Sequence, residues 1–370
     1  MTDTFDFADE LGPARVIHVY EPSIQLKATL VIDNISIGPA IGGLRMAVDV
    51  STEECFRLAR AMTLKNAAAD LPHGGGKSVL YGDPKMPKAK KEKLIRAFAC
   101  ALRNEHGYIF GPDMGLNEEG MAWIKDEINR AVGLPRELGG IPLDEIGATG
   151  WGLSQAAEVA AHSCGVMLNG ARVVVQGFGA VGRHAARFLA QHGAVLVAAS
   201  DSQGTIYDTN GLDIEALCAL KEAGQNFTDY PNGHHLNRDA VIDIACDIWI
   251  PAARPDVINE ENVNRLNAKL ILQGANIPIT HAAEKILHQR GIISIPDFIA
   301  NAGGVICASL EYQQAPESTV LSVITEKIQS NVENILYTMQ KEQVLPREAA
   351  IQLATARIKK AMGYKRWSIF

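Results

Sequence analysis

Apolar positions along this 370-residue chain follow two different periods, and the period changes with position. Val16 to Tyr20 and Ala28 to Asp33 are runs of β-branched and aliphatic residues, the pattern of strands. Ser51-Thr52-Glu53-Glu54 has the form of a capping box. Cys55, Leu58, Ala59 and Met62 follow at helical spacing, so one face of this helix is buried. Lys65 falls near its end, before Pro72 stops any continuation. Another helix is predicted from about Lys91 to Glu105. At Ala171 the texture changes: a β-branched strand over 171–176 leads into glycines, an amphipathic helix to about His192 and a strand over 195–200. Further strands are predicted at 247–250, 269–272 and 292–295, with helical stretches between them. Strands alternating with helices imply a parallel sheet. Val320, Ile324, Ile328, Val332, Ile335 and Met339 then mark a long apolar helical stripe, followed by a helix from about Arg347 to Met362. The stripe is expected to pack on the domains rather than on a partner.

Chemistry concentrates first in KNAAADLPHGGGKSVLYGDP, Lys65 to Pro84. Lys65 and Lys77 stand twelve positions apart, the second directly after Gly74, Gly75 and Gly76. Read as a loop, the glycines let the backbone approach a ligand closely. A lysine beside a second cation and shielded from water can serve as a base near neutral pH. Gly76-Lys77-Ser78 is not the end of a phosphate-binding P-loop, because Leu71 stands where that motif needs glycine.

The second concentration is Gly177-Phe178-Gly179-Ala180-Val181-Gly182, set between a strand and a helix. Gly177 suits the tight turn, Gly179 the approach of a pyrophosphate, and Gly182 close helix–strand packing. The helix N-terminus offers N–H groups to the phosphates. Asp201 ends the next strand, where an acid accepts the ribose hydroxyls of NAD and repels a 2′-phosphate. NAD is the expected cofactor.

Composition narrows the class. Hydrophobic residues make up 47%, charged residues 21%, and the net charge is −7, so there is no electrostatic footprint for nucleic acid or anionic lipid. The Lys-rich Lys85 to Lys93 reads as a solvated helix start. The six cysteines form no CxxC pair, and no metal site is expected. The acidic N-terminus is not a signal peptide, and no apolar run is long enough to span a bilayer, so cytoplasm is the expected location.

Two lysines around a glycine run, followed by a dinucleotide fold, resemble the glutamate/leucine/phenylalanine/valine dehydrogenase family. The similarity runs through GPAIGGLRM (38–46), LPHGGGKSVLYGDP (71–84), GPDMG (111–115), ATGWG (148–152), GFGAVG (177–182), QGAN (273–276) and PDFIANAGGV (296–305). The resemblance implies an α/β protein: an N-terminal α/β substrate domain over 1–147, a Rossmann dinucleotide-binding domain over 148–335, and C-terminal helices packing back across the two, with 336–370 returning to the first. It implies reversible oxidative deamination of an L-amino acid by a homo-oligomer. Lys65 then matches the lysine that grips the α-carboxylate, Lys77 the catalytic lysine, and Asp113 the acid that shuttles protons. Thr149 and Asn276 match residues beside the nicotinamide, and Asn301 one lining the cleft.

The substrate is read from departures. Glutamate enzymes of this family carry a lysine before the paired glycines and a serine after the NAGGV motif. Here those positions are Ile41, before Gly42-Gly43, and Ala308. An unpaired carboxylate against them would cost several kcal/mol, so an apolar, branched-chain or aromatic amino acid is expected. Gly43, Gly111 and Val305 complete the expected pocket. Two rivals stand beside this: a glutamate dehydrogenase with a rearranged anchor, favoured by SDSQGTIYD (200–208), and a non-catalytic NAD-binding regulator.

Overall fold

The computed structural model describes residues 4–370. The chain divides into two units. One comprises the chain up to Leu143 together with Val305–Val320 and Ile351–Phe370; the other comprises Asp144–Gly304 with Leu321–Ala350. Residues 305–320, expected within the Rossmann domain, therefore pack with the first unit, and the C-terminal stretch joins it from 351 rather than 336.

The first unit is built on a five-stranded sheet ordered β1-β2-β4-β3-β5: β1 Arg15–Glu21, β2 Leu26–Asn34, β3 Ala40–Ala47, β4 Gly74–Tyr81 and β5 Tyr108–Pro112. β3 runs parallel to both β4 and β5, while β2 is antiparallel to β1 and β4. Helices α1 Thr52–Ala68, α2 Lys88–Ala101 and α3 Glu118–Ile128 lie between its strands or just after them. Successive residues of a strand face opposite ways. Ala40, Leu44 and Met46 of β3 lie in the large apolar core with Ile95 and Phe98 of α2 and Met121 and Ile124 of α3. Ile41, Gly43 and Arg45 therefore face away from that core.

GGGK is not a loop. Gly74, Gly75, Gly76 and Lys77 open β4, the central strand. None of the three glycines has positive φ; each is needed for close packing instead. A Cβ on Gly75 would lie 2.0 Å from Thr63 N of α1, and one on Gly74 would lie 1.9 Å from Asn34 O of β2. The capping box is also only half realised. Ser51 Oγ accepts the Glu54 N–H at 3.0 Å, but the Glu54 carboxylate turns to Arg45. At the other end of α1, Arg357 donates to the carbonyls of Ala67 and Ala68 and closes the helix just beyond Lys65.

The second unit has a seven-stranded sheet ordered β12-β11-β10-β6-β7-β8-β9. Its strands are β6 Arg172–Gln176, β7 Val195–Ser200, β8 Thr205–Tyr207, β9 His234–Leu236, β10 Ile248–Pro251, β11 Leu270–Leu272 and β12 Ile293–Ile295. The first five in that order pair in parallel, and β8 and β9 are antiparallel additions at the far edge. This is the doubly wound pattern expected for 171–295. Its helices are α4 Ala148–Ser163, α5 Ala180–Gln191, α6 Ile214–Glu222, α7 His281–Gln289 and α8 Asp297–Ala300. Helix α9, Gly303–Tyr312, is divided between the units at 304/305. The predicted stripe is α10, Val320–Glu342, with all six apolar residues buried. Trp151 Nε1 of α4 donates to Leu321 O and Thr325 Oγ1 of α10, each at 3.0 Å. Helix α11, Pro346–Met362, ends the helical series. No helix among the described residues is long and apolar enough to cross a membrane.

Candidate active site

On the face of the first sheet turned from the large core, Lys77 of β4 pairs with the carboxylate Oδ2 of Asp113, just past β5. Both side chains are largely withdrawn from solvent. Gly43 is the reason they can meet there: a Cβ on it would stand 3.1 Å from Lys77 Nζ and 2.8 Å from Asp113 Cβ. The sequence reading set Lys77 beside a second cation; the charge against it in the structure is an anion. Asp113 Oδ1 also accepts the Met114 N–H at 2.6 Å and faces Arg45 at 3.4 Å. Burial pushes the Asp113 carboxyl up, but Lys77, Arg45 and the Met114 N–H outweigh it and hold it below the usual carboxylate range.

Behind β3, on the core side, the fully buried Tyr108 hydroxyl donates to Gly42 O at 2.7 Å and lies 3.1 Å from Ser78 Oγ. A side chain at Gly42 would meet that hydroxyl and Gly76 O. Lys65 stands half-buried in the last turn of α1. Beside it, Asn66 Nδ2 donates to Gly74 O at 2.6 Å and Ile41 O at 3.3 Å, tying α1 to both strands. Ile41, Ile109 and Val132 form a separate buried apolar cluster with Ala308 packed against it. Gly111 widens it: an added Cβ would meet only Val132 Cγ2 at 3.6 Å and Gly42 O at 3.8 Å. Val305 is half-buried on the same helix as Ala308.

His73, on the alternation of Gly75 and Lys77, is buried against the Tyr312 ring at a centroid distance of 5.9 Å. Its Nδ1 lies 3.1 Å from Pro39 O, and its Nε2 is buried without a hydrogen-bond partner among the described residues. Burial lowers its pKa, only partly opposed by the Pro39 carbonyl. The unfolded chain then binds the proton first as pH falls, so this histidine favours the fold above its ordinary pKa and destabilises it on acidification. His73→Leu should flatten the stability slope below about pH 6.5, by at most about 1.4 kcal/mol per pH unit. Urea unfolding of both proteins across that range measures the difference; parallel slopes would refute it.

In the second unit, Gly177 has φ +92° and precedes α5, which Gly179 caps without any side-chain hydrogen bond. An added Cβ on Gly179 would meet nothing within 4 Å, whereas one on Gly182 would lie 2.0 Å from Gly177 O. A cradle open at Gly179, with the first N–H groups of α5 uncapped, fits a dinucleotide pyrophosphate. Ala180 and Val181 form the first turn. Val181 Cγ1 would be 3.3 Å from a Cβ on Gly274, so the QGAN segment passes over this turn. Asn301 Nδ2 donates to Gly274 O, Ala275 O and Asn276 Oδ1 at 3.2–3.3 Å. Thr149 lies in the first turn of α4, its Oγ1 3.2 Å from the Cβ position of Gly304. A buried network holds this segment: Gln273 Nε2 donates to Glu284 and Ser294, and Arg347 donates to Gln273, Glu284 and Asp297.

Asp201, expected to accept the ribose hydroxyls of NAD, already has partners in the chain. Its carboxylate accepts the N–H groups of Gln203, Gly204 and Phe227 and the Lys221 ammonium, the last at 2.9 Å. Burial raises its pKa, but these partners, Lys221 foremost, bring it below the usual value. Lys221 on α6, twenty residues along the chain, carries no motif that would have marked it.

Residues 139–366 match the family described as Glutamate/Leucine/Phenylalanine/Valine dehydrogenase, and residues 14–130 match its dimerisation domain. A glutamate dehydrogenase from Aeropyrum pernix is 36% identical over 357 residues, covering 90% of this chain and 85% of its own. An NADP-specific glutamate dehydrogenase from Saccharolobus shibatae is 35% identical over 351 residues, covering 89% and 82%. The crystal structure of glutamate dehydrogenase from Peptoniphilus asaccharolyticus superposes with a TM-score of 0.85 at 28% identity, over 96% of this chain and 92% of that one. The chain belongs to the glutamate/leucine/phenylalanine/valine dehydrogenase family and is an amino acid dehydrogenase.

Proposed function

We propose that this enzyme carries out reversible NAD-dependent oxidative deamination of an apolar L-amino acid, branched-chain or aromatic, to the 2-oxo acid and ammonia. The observation that supports the substrate choice is the apolar cluster of Ile41, Ile109 and Val132 with Ala308 packed against it, at the two positions where a lysine and a serine would anchor a side-chain carboxylate. Arg45, the nearest alternative anchor for a side-chain carboxylate, is already paired with Glu54 at 2.5 Å and faces Asp113. Glutamate as substrate is the second reading, supported by the names of the relatives. A panel of L-amino acids with NAD at alkaline pH, followed by nicotinamide absorbance, separates the two and would also expose a non-catalytic protein.

A bound nicotinamide would take the hydride from the substrate Cα. Lys65 would hold the α-carboxylate. Lys77 would activate the water that adds to the oxidised carbon, and Asp113, in contact with its ammonium, would carry protons to and from the substrate nitrogen. Gly177, Gly179, Ala180, Val181 and Gly182 would hold the pyrophosphate, with Thr149, Asn276 and Asn301 around the nicotinamide. A homo-oligomer is part of this reading, supported by the match to the dimerisation domain. The free cysteines are consistent with a reducing cytoplasm.

Cofactor choice is assigned to the charge at Asp201. A 2′-phosphate there would meet a carboxylate, although one already bonded to Lys221. Asp201→Ser should leave Lys221 uncompensated and raise kcat/KM for NADP relative to NAD by about tenfold or more, equivalent to about 1.4 kcal/mol. An unchanged ratio would assign the choice to another group.

A further inference from the structure

Arg45 stands on β3 two residues past Gly43, on the same face of the sheet. Its Nη2 faces Asp113 Oδ1 at 3.4 Å, and its Nη1 donates to Glu54 Oε1 of α1 at 2.5 Å. Its Nε is buried with no hydrogen-bond partner among the described residues. Asp113 Oδ1 is thus held by Met114 N and Arg45, while Oδ2 is left to Lys77. Glu54 supplies a second, independent sign of design. Its position three residues after Ser51 suits a reciprocal helix cap, yet its side chain goes to Arg45. The charges alternate from Lys77 through Asp113 and Arg45 to Glu54.

We propose that Arg45, held by Glu54, is a positioning residue for this reaction: it orients the Asp113 carboxylate with Oδ2 towards Lys77. This rests on the reading of Asp113 as the proton-transfer group. The charged groups against Asp113 are Lys77 from β4 and Arg45 from β3, with Glu54 of α1 behind Arg45; the buried Tyr108 hydroxyl of β5 lies on the other face of the sheet. Neighbouring opposite charge favours the ionised carboxylate. Losing Arg45 therefore raises the proton affinity of the Asp113 carboxylate, and neutralising Glu54 lowers it. A role in packing alone would not produce opposite signs.

The test is the pH profile of kcat/KM for the full-length enzyme with NAD and the fastest of L-leucine, L-phenylalanine and L-glutamate. Wild type is compared with Arg45→Met, Arg45→Lys, Glu54→Gln and Asp113→Asn. The acidic limb should move to higher pH by about half a unit or more in Arg45→Met and to lower pH in Glu54→Gln. Arg45→Lys, which keeps the charge but not the fork, should hold the limb near its original pH with reduced kcat. If Arg45→Met does not fold, the downward shift in Glu54→Gln and the retained limb in Arg45→Lys carry the test. Limbs that stay put, or shift in the same direction, overturn the role of Arg45 if Asp113→Asn has lost turnover. Near-normal turnover in Asp113→Asn would overturn the reading of Asp113 and the proposal with it.

Discussion

Lys77→Ala is expected to lower kcat by about a hundredfold to ten-thousandfold, the range ascribed to a positioned acid–base group, while NAD still binds. Lys77 stands on a central strand, with Gly43 against its ammonium and Asp113 as its partner. On the proposed mechanism, removing it takes away the group that activates water and leaves the buried Asp113 with Arg45 and the Met114 N–H. Part of the loss could therefore come from a displaced carboxylate. Lys77→Arg separates these contributions: it keeps a cation for Asp113 but is a poor base. If Lys77→Arg is as inactive as Lys77→Ala, the loss belongs to proton transfer. NAD affinity, followed by quenching of protein fluorescence, should change little in either variant. Unchanged turnover in Lys77→Ala would remove this lysine from the mechanism.

Branched-chain or aromatic L-amino acids are expected to be oxidised at least about a hundredfold more efficiently than L-glutamate. A side-chain carboxylate placed against Ile41, Ile109, Val132 and Ala308 would lose its water against four apolar side chains. The penalty for such an unpaired buried charge is about 3 kcal/mol or more, and about 1.4 kcal/mol is a tenfold change in rate. Ile41→Lys with Ala308→Ser supplies a cation and a hydroxyl and should raise glutamate activity relative to the apolar substrates. Steady-state kcat/KM for leucine, phenylalanine and glutamate measures both expectations. A native preference for glutamate, unaffected by the double substitution, would mean that the carboxylate binds elsewhere. Arg45 is poorly placed to bind it, because releasing it would leave Glu54 and Asp113 without their shared cation.

The doubly wound unit was legible because its signals are local. A β-branched run, a glycine-rich turn and an amphipathic helix follow one another within a few residues, and β6, α5 and β7 stand where that pattern puts them. The residues of the amino acid site were legible through motifs, but their setting was not. A glycine run reads as a loop when its neighbours are unknown; here the neighbours are Thr63 and Asn34, brought in from α1 and β2. The Asp113–Arg45–Glu54 chain joins β5, β3 and α1, and no local spacing encodes that meeting. Lys221 was missed for the same reason. It pairs with Asp201 across twenty residues of chain, while Gln203, two residues past Asp201, gives only a backbone N–H. Charge compensation depends on distances in space, so it is the part of a site that a linear reading loses first.

The close fit of Gly74 and Gly75 bears on how this enzyme could diversify. These positions form a floor that admits no new side chain, because even a methyl group would enter backbone atoms of two neighbouring elements. If the proposed pocket is right, changes in substrate range come instead through Ile41, Gly111, Val132 and Ala308, where a Cβ or a larger group has room or an apolar neighbour. Variants dead at the floor would fail by losing the scaffold. They would report architecture, and a screen for activity alone would mistake them for lost chemistry.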